Sequence, residues 1–415
     1  MQKTLLALAI LSQFILPAFA KANLDLAAPR FWNFQSIDTV KASRDLAREK
    51  LRDPAFDTVI DTQVKNIAAT GATHVAIGTP YDDEFLPILA RWVSAARRYH
   101  LQVWFRGNFA GWEGWFAYPK ISRTEHMLKT EKFVLENSFY FEDGDIFTAC
   151  PECENGQAGD PRYNGDLAGH REFLIAEYEI VKNDFQKLGK KVTANFVSMN
   201  GDVAKLVMDK ETTTKLDGVV TIDHYVKTPD ELLRDIHDLA LTSGGKIVLG
   251  EYGYPIPDIN GKATALEQAA WLEELLSKLV GSKAVIGLNY WTYSGGSTQL
   301  WNDSGQARPG VVTLTKFYTP PVVAGYVKDE LDRPVSPATI KNEYGETRSN
   351  KNGYFEIPVP QKARSEVRVV APGYEEKKLS LENTGEKLEI ELHIQKKGFF
   401  FRLLEFFQMV LERIS

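Results

Sequence analysis

Short apolar runs alternate with longer amphipathic stretches over most of the chain. Short apolar or β-branched runs are typical of buried strands, and apolar residues spaced three and four apart are typical of helices. The pattern predicts eight strands, at Arg30–Phe34, Thr73–Ile77, Gln102–Arg106, Asp145–Ala149, Lys191–Phe196, Gly218–Asp223, Lys246–Gly250 and Ala284–Tyr290. It also predicts intervening helices, among them Glu84–Tyr99, Gly169–Leu188, Pro229–Leu241 and Leu266–Val280.

This order of elements predicts an α/β fold with a parallel sheet. Strands that alternate with helix-sized connections form right-handed crossovers, in either an open doubly wound sheet or a closed barrel. Eight strands favour the eight-stranded (β/α)8 TIM barrel, which we assign to residues 21–318. No Gly-x-Gly-x-x-Gly or Walker loop follows a predicted strand, which excludes the nucleotide-binding alternatives.

The pattern changes near residue 319. Strand-like alternation with turn signals such as Asn352-Gly353 and Pro372-Gly373 predicts a small all-β sandwich over residues 319–397. Residues 398–415 combine a broad apolar face with a narrow polar stripe, which predicts a terminal amphipathic helix. At about 18 residues, with charges inside, this helix is too short and too polar to span a bilayer. It is expected either to contact a membrane surface peripherally or to dock on the protein's own domains.

The first twenty residues have the pattern of a secretory signal peptide. Lys3 supplies a positive charge, Leu5–Leu16 an apolar stretch, and Ala18-Phe19-Ala20 a cleavage site of small residues. The mature protein is therefore expected to start near Lys21 and to be exported to an extracellular, periplasmic or cell-surface location. An uncleaved N-terminal anchor is the alternative.

Composition and net charge restrict the possible binding partners of the protein and leave the predicted fold unchanged. The 415 residues, 44% hydrophobic and 25% charged, suit a barrel plus a smaller module. A net charge of −6 without a cluster of Lys and Arg argues against nucleic acid. Cys150 and Cys153 lack a second ligand pair, and the seven histidines form no chelating pattern, so we predict no metal and no cofactor. The two cysteines are either free thiols or a local disulfide.

Unusual polar and aromatic residues cluster where the predicted strands end, which is the active-site face of such a barrel. Glu152 and Glu251 each follow an apolar run, and a carboxyl group at the exit of a buried strand can have its pKa tuned for acid, base or nucleophile chemistry. Rings stack on the C–H faces of sugars, and polar groups bond their hydroxyls. The candidate substrate-binding residues are Trp32, Arg106, Asn108, Trp112, Asn195, His224, Tyr225, Trp291 and Tyr293.

In order and spacing, these residues resemble the clan A retaining glycoside hydrolases, which share an eight-fold β/α barrel. The resemblance covers about residues 28–317 and implies that Glu152 is the acid/base and Glu251 the nucleophile. It further implies that the Tyr225 hydroxyl orients the nucleophile and that Trp291 forms the floor of the sugar site. The expected activity is hydrolysis of a β-linked oligo- or polysaccharide.

One position departs from the family pattern. The family usually carries Asn directly before the acid/base, and this chain has Pro151 there. Either another residue takes the role of that Asn, or Glu154 is the acid, since residues two apart on an extended segment point the same way. We favour Glu152, and the identity of the sugar stays open.

The resemblance implies double displacement. Glu251 attacks the anomeric carbon while protonated Glu152 donates to the leaving oxygen, and Glu152 then deprotonates the incoming water. The two carboxyl groups are expected to lie roughly 5 to 5.5 Å apart. Arg106 or His224 is expected to help keep Glu251 charged.

The second module also resembles a known family. Gly325-Tyr326-Val327-Lys328-Asp329, Asn352-Gly353-Tyr354-Phe355-Glu356-Ile357 and Ala371-Pro372-Gly373-Tyr374 are similar to a carboxypeptidase regulatory-like domain, a transthyretin-type sandwich. Such modules are accessory, which implies a spacer, stability or docking role.

Two hypotheses from different classes follow. The first is an exported or surface-held retaining glycoside hydrolase. The second is a non-catalytic carbohydrate-binding protein on the same barrel, favoured by Pro151 and by the cysteines that frame the acid loop. Turnover of a glycoside, as against binding without turnover, distinguishes them.

Overall fold

The computed structural model describes residues 29–156, 158–360, 364–382 and 387–395. The chain divides at Pro320 into two units, Arg30–Pro320 and the described residues that follow it. The predicted signal peptide and the predicted terminal helix 398–415 lie outside the described residues. Among the helices of the described ranges, none has the length and apolarity to cross a membrane.

The first unit is a parallel β-barrel surrounded by helices. In its described residues the sheet order is β4-β3-β2-β1-β8-β7-β6-β5, and every pairing between neighbouring strands is parallel. A single bridge from Ile146 to Thr193 joins the two ends of the sheet. The predicted eight-stranded α/β barrel is therefore confirmed. Its strands are β1 (Phe34–Asp38), β2 (His74–Ile77), β3 (Gln102–Phe105), β4 (Ile146–Phe147), β5 (Ser198–Asn200), β6 (Val219–Asp223), β7 (Lys246–Tyr252) and β8 (Val285–Tyr290).

Helices fill the connections between the strands. Three of them, α6, α11 and α13, begin with a capping box in which Ser or Thr and a Glu three residues later satisfy free backbone N–H groups. The helices are α1 (Val40–Ser43), α2 (Ala47–Lys50), α3 (Phe56–Ala69), α4 (Leu86–Arg98), α5 (Ala110–Glu113), α6 (Arg123–Glu136), α7 (Pro161–Asn164), α8 (Leu167–Lys187), α9 (Gly201–Val207), α10 (Lys210–Lys215), α11 (Pro229–Ser243), α12 (Pro257–Asn260), α13 (Ala265–Leu279) and α14 (Pro309–Tyr318).

The first strand lies four residues later than predicted. The apolar run Arg30–Phe34 precedes β1, which carries the polar side chains of Gln35 and Ser36 in buried positions. The Gln35 amide donates to the carbonyls of Gly71 at 2.8 Å and Tyr318 at 2.5 Å. Buried polar groups that backbone carbonyls satisfy are tolerated, but they hide a strand from an apolar pattern.

The fifth strand is also displaced. The predicted strand Lys191–Phe196 pairs with β4 mainly at Thr193, and the regular strand β5 begins at Ser198. Because β4 is only two residues long, few residues of the segment Lys191–Phe196 can pair with it. The regular strand β5 forms farther along the chain, where Ser198–Asn200 pair with β6. Residues before Ser198 therefore do not belong to the carboxyl end of a strand.

Aromatic side chains fill the barrel interior. Phe34 stacks on Phe196 with centroids 5.1 Å apart and meets Trp104 edge-on at 5.4 Å. Gly287 on β8 faces Phe34 so closely that a Cβ would collide with the ring. Aromatic pairs of this kind bury large apolar areas. The interior is a packed core, and the open face of the barrel is left to the strand ends.

The second unit consists of two small β-sheets. The orders are β11-β10-β13-β14 and β12-β9-β15, and both sheets contribute to one apolar core that contains Val327, Phe355, Ile340 and Val367. The strands are β9 (Val322–Asp329), β10 (Thr339–Lys341), β11 (Glu346–Arg348), β12 (Tyr354–Pro358), β13 (Arg364–Val370), β14 (Lys377–Glu382) and β15 (Leu388–Leu392). An all-β module is observed, and its assignment to the carboxypeptidase regulatory-like type remains a prediction.

Candidate active site

A buried arginine joins the carboxyl ends of four strands. Arg106 directly follows β3, and its side chain is 3% exposed. Its Nη2 lies 2.8 Å from Oδ2 of Asp223 on β6 and 3.1 Å from Oε1 of Glu251 on β7. Its Nη1 donates to the carbonyl of Gly250 at 2.5 Å, and Oδ2 of Asp38 on β1 lies 3.7 Å from its Nε. A buried cation persists only with such partners, so Arg106 fixes four strand ends around one point.

Gly250 is required beside this arginine for a steric reason. A Cβ at position 250 would collide with Oδ1 of Asp223 and lie 2.9 Å from Nη1 of Arg106. Its carbonyl also accepts a hydrogen bond from Nδ2 of Asn289 on β8 at 2.8 Å, and the same amide reaches Oδ2 of Asp38 at 3.3 Å. The residue before Glu251 therefore provides space and a carbonyl acceptor.

Both carboxyl oxygens of Glu251 accept a hydrogen bond from a protein donor. Oε1 accepts from Arg106, and Oε2 accepts from the Tyr225 hydroxyl at 2.7 Å. The Tyr225 ring meets the Trp291 ring edge-on, with centroids 5.9 Å apart. Donors at both oxygens favour the ionised carboxylate and hold it in one orientation.

The carboxyl groups around Arg106 compete for one positive charge. Burial raises the pKa of Asp38, Asp223 and Glu251, and the charge of Asp223 raises the pKa of Glu251 further. Oδ1 of Asp223 is buried without a hydrogen-bond partner among the described residues, whereas both oxygens of Glu251 have one. The pKa of Asp223 rises to about 7 and that of Glu251 to about 8. Arg106 lowers the pKa of both groups, and the Tyr225 hydroxyl is a further donor that lowers the pKa of Glu251 and so favours its charged form.

Glu152 lies in the loop after β4 and is held mainly through its backbone. Its N–H donates to the carbonyl of Ser198 at 2.8 Å, and its φ of 45° and ψ of 52° are left-handed, which costs a non-glycine residue roughly 1 kcal/mol. Its Oε2 accepts from Nδ2 of Asn155 at 3.1 Å. Burial raises the pKa of Glu152 to about 8, and the charges of Glu251 and Glu154 contribute to the rise. A carboxyl group that keeps its proton at neutral pH suits a general acid.

A disulfide brackets Glu152. Cys150 and Cys153 are bonded, with their Cα atoms 5.3 Å apart, which decides between the two states that the sequence allows. Nδ2 of Asn108 lies 3.7 Å from Sγ of Cys150, and Nε1 of Trp112 donates to the carbonyl of Cys153 at 3.2 Å. The acid loop is thus tied to the segment that follows β3.

Glu154 is more deeply buried than Glu152. Its Oε1 accepts from the N–H of Asn200 at 2.6 Å, its Oε2 is buried without a hydrogen-bond partner among the described residues, and the residue is 2% exposed. Burial raises its pKa to about 7. A carboxyl group with so little accessible surface cannot reach a leaving group as Glu152 can, so the geometry favours Glu152 as the acid.

Glu113, at the end of α5, is a further carboxyl group near Glu152. Its Oε1 accepts from Nδ2 of Asn108 at 3.1 Å. Burial raises its pKa to about 8, and the charge of Glu152 adds to this rise while Arg44 opposes it. Glu113 lies seven residues beyond the predicted third strand, so a search for glutamates at strand ends did not find it.

Two further polar residues of the site were missed by the sequence reasoning. Asp38 ends β1 and Asn289 lies in β8, and both belong to the network around Arg106. Asp38 was overlooked because the first strand was placed too early. Asn289 had a visible signal, since it is a polar residue inside the apolar run Gly287-Leu288-Asn289-Tyr290.

Three predicted substrate-binding residues lie away from the carboxylates. Trp32 precedes β1, and the neighbouring Asn33 bonds the carbonyl of Ile286 near the start of β8, so Trp32 lies at the opposite end of the barrel. Nδ2 of Asn195 reaches the carbonyl of Leu216, before the start of β6. The shifted first and fifth strands explain both errors.

His224 is the third of these residues. Its Nε2 lies 2.7 Å from Oδ2 of Asp235 on α11, and its ring packs against Gly201 at the start of α9. The ring therefore faces the helix layer, because consecutive residues of a strand point to opposite sides. Arg106 and His224 were the two residues predicted to keep Glu251 charged. Arg106 bonds the Glu251 carboxyl group, whereas His224 bonds Asp235.

Three other predicted residues have structural contacts instead of open surface. Asn108 is fully buried, and Trp112, 2% exposed, stacks on Phe173 with centroids 5.1 Å apart. The Tyr293 hydroxyl accepts from Nδ2 of Asn66 on α3 at 2.8 Å, and its ring stacks on Trp301. None of these side chains is free to bind a sugar, and Asn108 and Trp112 support the acid loop.

The described residues contain no group of three or more His, Cys, Asp or Glu side chains placed to hold a metal ion. The structure brings together Arg106, Tyr225, Trp291, Glu152 and Glu251 of the predicted set.

No protein-family model and no curated sequence matches this chain. Among solved structures, it is similar to a GH5_18 protein from Bifidobacterium longum subsp. longum in complex with Manβ1-4GlcNAc, at 14% identity and a TM-score of 0.52, over 73% of this chain and 84% of that one. A fungal β-1,4-galactanase matches at 15% identity and a TM-score of 0.48, over 69% and 99%. A family 39 glycoside hydrolase from Bacteroides cellulosilyticus matches at 13% and 0.47, over 80% and 79%. The first of these likenesses establishes the shared barrel fold.

Proposed function

We propose that this protein is a retaining glycoside hydrolase that acts on a β-linked glycan. The observation that carries the proposal is the environment of Glu251, whose two oxygens accept hydrogen bonds from Arg106 and Tyr225. An ionised carboxylate held rigidly at the carboxyl end of a barrel strand suits a nucleophile. The names of the similar structures, which include glycoside hydrolases and a galactanase, agree with this class of reaction.

Glu251 and Glu152 take complementary roles in the proposed reaction. Glu251 attacks the anomeric carbon, and the proton on Glu152 passes to the leaving oxygen, so the glycosidic bond breaks as the glycosyl-enzyme ester forms. Glu152 then takes a proton from water as the water oxygen attacks the anomeric carbon, and the bond from that carbon to Glu251 breaks and releases the sugar and a charged Glu251. The raised pKa of Glu152 supports its role as the acid, because the proton is held until the charge on Glu251 is consumed.

The residues around this pair support the same chemistry. Arg106 and the Tyr225 hydroxyl stabilise the charge of Glu251 before attack and release it as the ester forms. Trp291, in contact with the Tyr225 ring, offers an aromatic face for the C–H side of the sugar. Tyr225 and Trp291 are therefore the proposed substrate-positioning residues.

Covalent labelling tests this proposal. The protein is incubated with 2,4-dinitrophenyl 2-deoxy-2-fluoro-β-glycosides of glucose, mannose and galactose, digested and analysed by mass spectrometry. We expect the mass of one fluoroglycosyl group on the peptide that contains Glu251, because fluorine slows both formation and hydrolysis of the ester, while the good dinitrophenolate leaving group restores the rate of formation alone. Glu267, an exposed glutamate at the start of α13, serves as the peptide control.

Three results would argue against the proposal. Label on Glu152 would exchange the two roles, and an unlabelled protein that binds β-linked oligosaccharides without cleaving them would favour the carbohydrate-binding alternative. Turnover with inversion of the anomeric centre, followed by proton NMR, would keep the hydrolase but exclude the ester.

We also propose that the protein is exported after cleavage near Lys21, and that the second unit is an accessory module of the carboxypeptidase regulatory-like type. The alternating burial of the described strand β9, typical of a half-buried sandwich strand, supports the module assignment. N-terminal sequencing of protein from the culture medium or periplasm tests the first statement. An intact leader in the recovered protein would overturn it.

A further inference from the structure

We propose that the Cys150–Cys153 disulfide is a positioning device for the general acid, so that reduction of this one bond removes acid catalysis and leaves the nucleophile intact. The inference rests on the proposed function. It starts from the contrast between how the two glutamates are held. Glu251 has two side-chain donors, whereas the carboxyl group of Glu152 accepts a single hydrogen bond within the described part of the chain, from Asn155.

The backbone therefore determines where the Glu152 carboxyl group lies. Glu152 has a φ of 45°, a left-handed conformation that residues with a Cβ rarely adopt. Pro151 before it has a fixed φ of its own, and the two cysteines close a ring of four residues around the pair. If the ring opens, Glu152 is free to return to an extended conformation, which turns its Cβ away from the present direction.

The ring is anchored to the rest of the barrel on three sides. Asn108 contacts Sγ of Cys150, Trp112 donates to the carbonyl of Cys153, and the N–H of Glu152 donates to the carbonyl of Ser198, the first residue of β5. Asn108 is itself held by His126, whose Nε2 lies 2.8 Å from its Oδ1. Through these contacts the disulfide determines where Glu152 lies, and it does not determine where Glu251 lies.

A general stabilising role explains the bond less well. A disulfide constrains the unfolded chain less the shorter the loop that it closes, and this loop has only two residues between the cysteines. The two bonded cysteines nonetheless flank Glu152, the one residue of the loop with a rare backbone conformation. Local geometry, more than global stability, is what such a short ring can fix.

The experiment compares leaving groups, because acid catalysis matters only when the leaving group is poor. The double variant Cys150→Ser/Cys153→Ser, Glu152→Ala and the wild type are assayed with phenyl and 2,4-dinitrophenyl β-glycosides of glucose, mannose and galactose. We expect kcat/KM of the double variant to fall about 10²-fold on the phenyl glycoside and less than about threefold on the dinitrophenyl glycoside, as for Glu152→Ala. Circular dichroism and thermal melting establish that the variant is folded.

A second arm keeps the inference testable if the double variant does not fold. The wild type is treated with dithiothreitol and then reoxidised, and the chain has no other cysteine that the reductant can attack. Activity on the phenyl glycoside is expected to fall on reduction and return on reoxidation, with little change on the dinitrophenyl glycoside. A folded double variant must not respond to dithiothreitol.

The outcomes separate the two proposals. Equal losses on both leaving groups, or no loss on either, would overturn the positioning role while the hydrolase stands. Release of neither phenol by the oxidised wild type, from any of the three sugars, would remove the proposed function and with it this inference.

Discussion

The two glutamates proposed as catalytic residues are held in opposite ways. Glu251 lies within a seven-residue strand, and its carboxyl group has donors at both oxygens. Glu152 lies in a loop after a strand of two residues, and its carboxyl group depends on a strained backbone and a disulfide ring. The sheet fixes one carboxylate, and a cross-linked loop fixes the other.

This difference matches the electrostatic needs of the two roles. A nucleophile must be charged, so donors at its oxygens help it. An acid must keep its proton, so donors would lower its pKa and harm it; burial and neighbouring carboxylates raise the pKa of Glu152 instead. The loop supplies that position with a single donor to the Glu152 carboxyl group, from Asn155.

Removing the nucleophile is expected to have the largest effect. Glu251→Gln should lower kcat/KM by at least about 10⁴-fold on every leaving group, since both steps need the carboxylate. Azide is expected to restore turnover of Glu251→Ala and give the α-glycosyl azide, because it attacks from the face that Glu251 vacates. A β-glycosyl azide from this variant would show that the roles are reversed.

Removing the acid is expected to have a smaller, selective effect. Glu152→Ala should lower kcat/KM on phenyl β-glycosides by about 10²- to 10³-fold and barely affect dinitrophenyl glycosides. With azide it should give the β-glycosyl azide. Glu154→Ala is the matched control, and a loss on poor leaving groups larger than that of Glu152→Ala would identify Glu154 as the acid.

Removing one donor from Glu251 is expected to have a moderate effect. Tyr225→Phe should lower kcat/KM by about 10- to 100-fold, because a hydrogen bond to a charged group contributes about 1.5 to 3 kcal/mol. The Tyr225 hydroxyl lowers the pKa of Glu251, so the acid limb of the pH profile should move to higher pH. Tyr293→Phe, whose hydroxyl bonds Asn66, is the control. An unmoved acid limb would mean that Tyr225 does not act through Glu251.

A last expected effect is on stability. The pKa of Glu152 is raised from its ordinary value near 4.5 to about 8, so the folded state binds the proton more tightly and loses stability as pH rises between these values. Glu152→Gln should remove this loss, roughly 3 kcal/mol in the unfolding free energy at pH 8 relative to pH 5, because each pH unit between the two pKa values corresponds to about 1.4 kcal/mol.

Urea denaturation at the two pH values measures this difference, with the exposed Glu211→Gln on α10 as control. An equal gap between Glu152→Gln and the wild type at both pH values would contradict the raised pKa.

The sequence allowed the barrel to be predicted because helix and strand periods are local. It misplaced β1 because Gln35 and Ser36 are buried polar residues whose partners, such as Tyr318, lie far along the chain. Because β1 was placed too early, Trp32 was predicted to bind substrate and Asp38 was not predicted to belong to the site.

Glu152 and Glu251 were found because each follows an apolar run, which is also a local signal. The network around Arg106 was only partly predictable, since its members meet through the closed sheet. Asn289 and Asp38, for example, share a hydrogen bond across 251 positions. Whether Asn108 and Trp112 face a sugar or the acid loop depends on packing, which no pattern of residue types specifies.

Gly250 has a consequence for the tolerance of this protein to mutation. Every single-nucleotide missense change of a glycine codon adds a Cβ, and any Cβ at this position collides with the Asp223 carboxyl group next to Arg106. A residue with no functional group is therefore expected to be as intolerant in a saturation library as the nucleophile beside it. A scan of that kind would identify Gly250 as part of the site, although it takes no part in the chemistry.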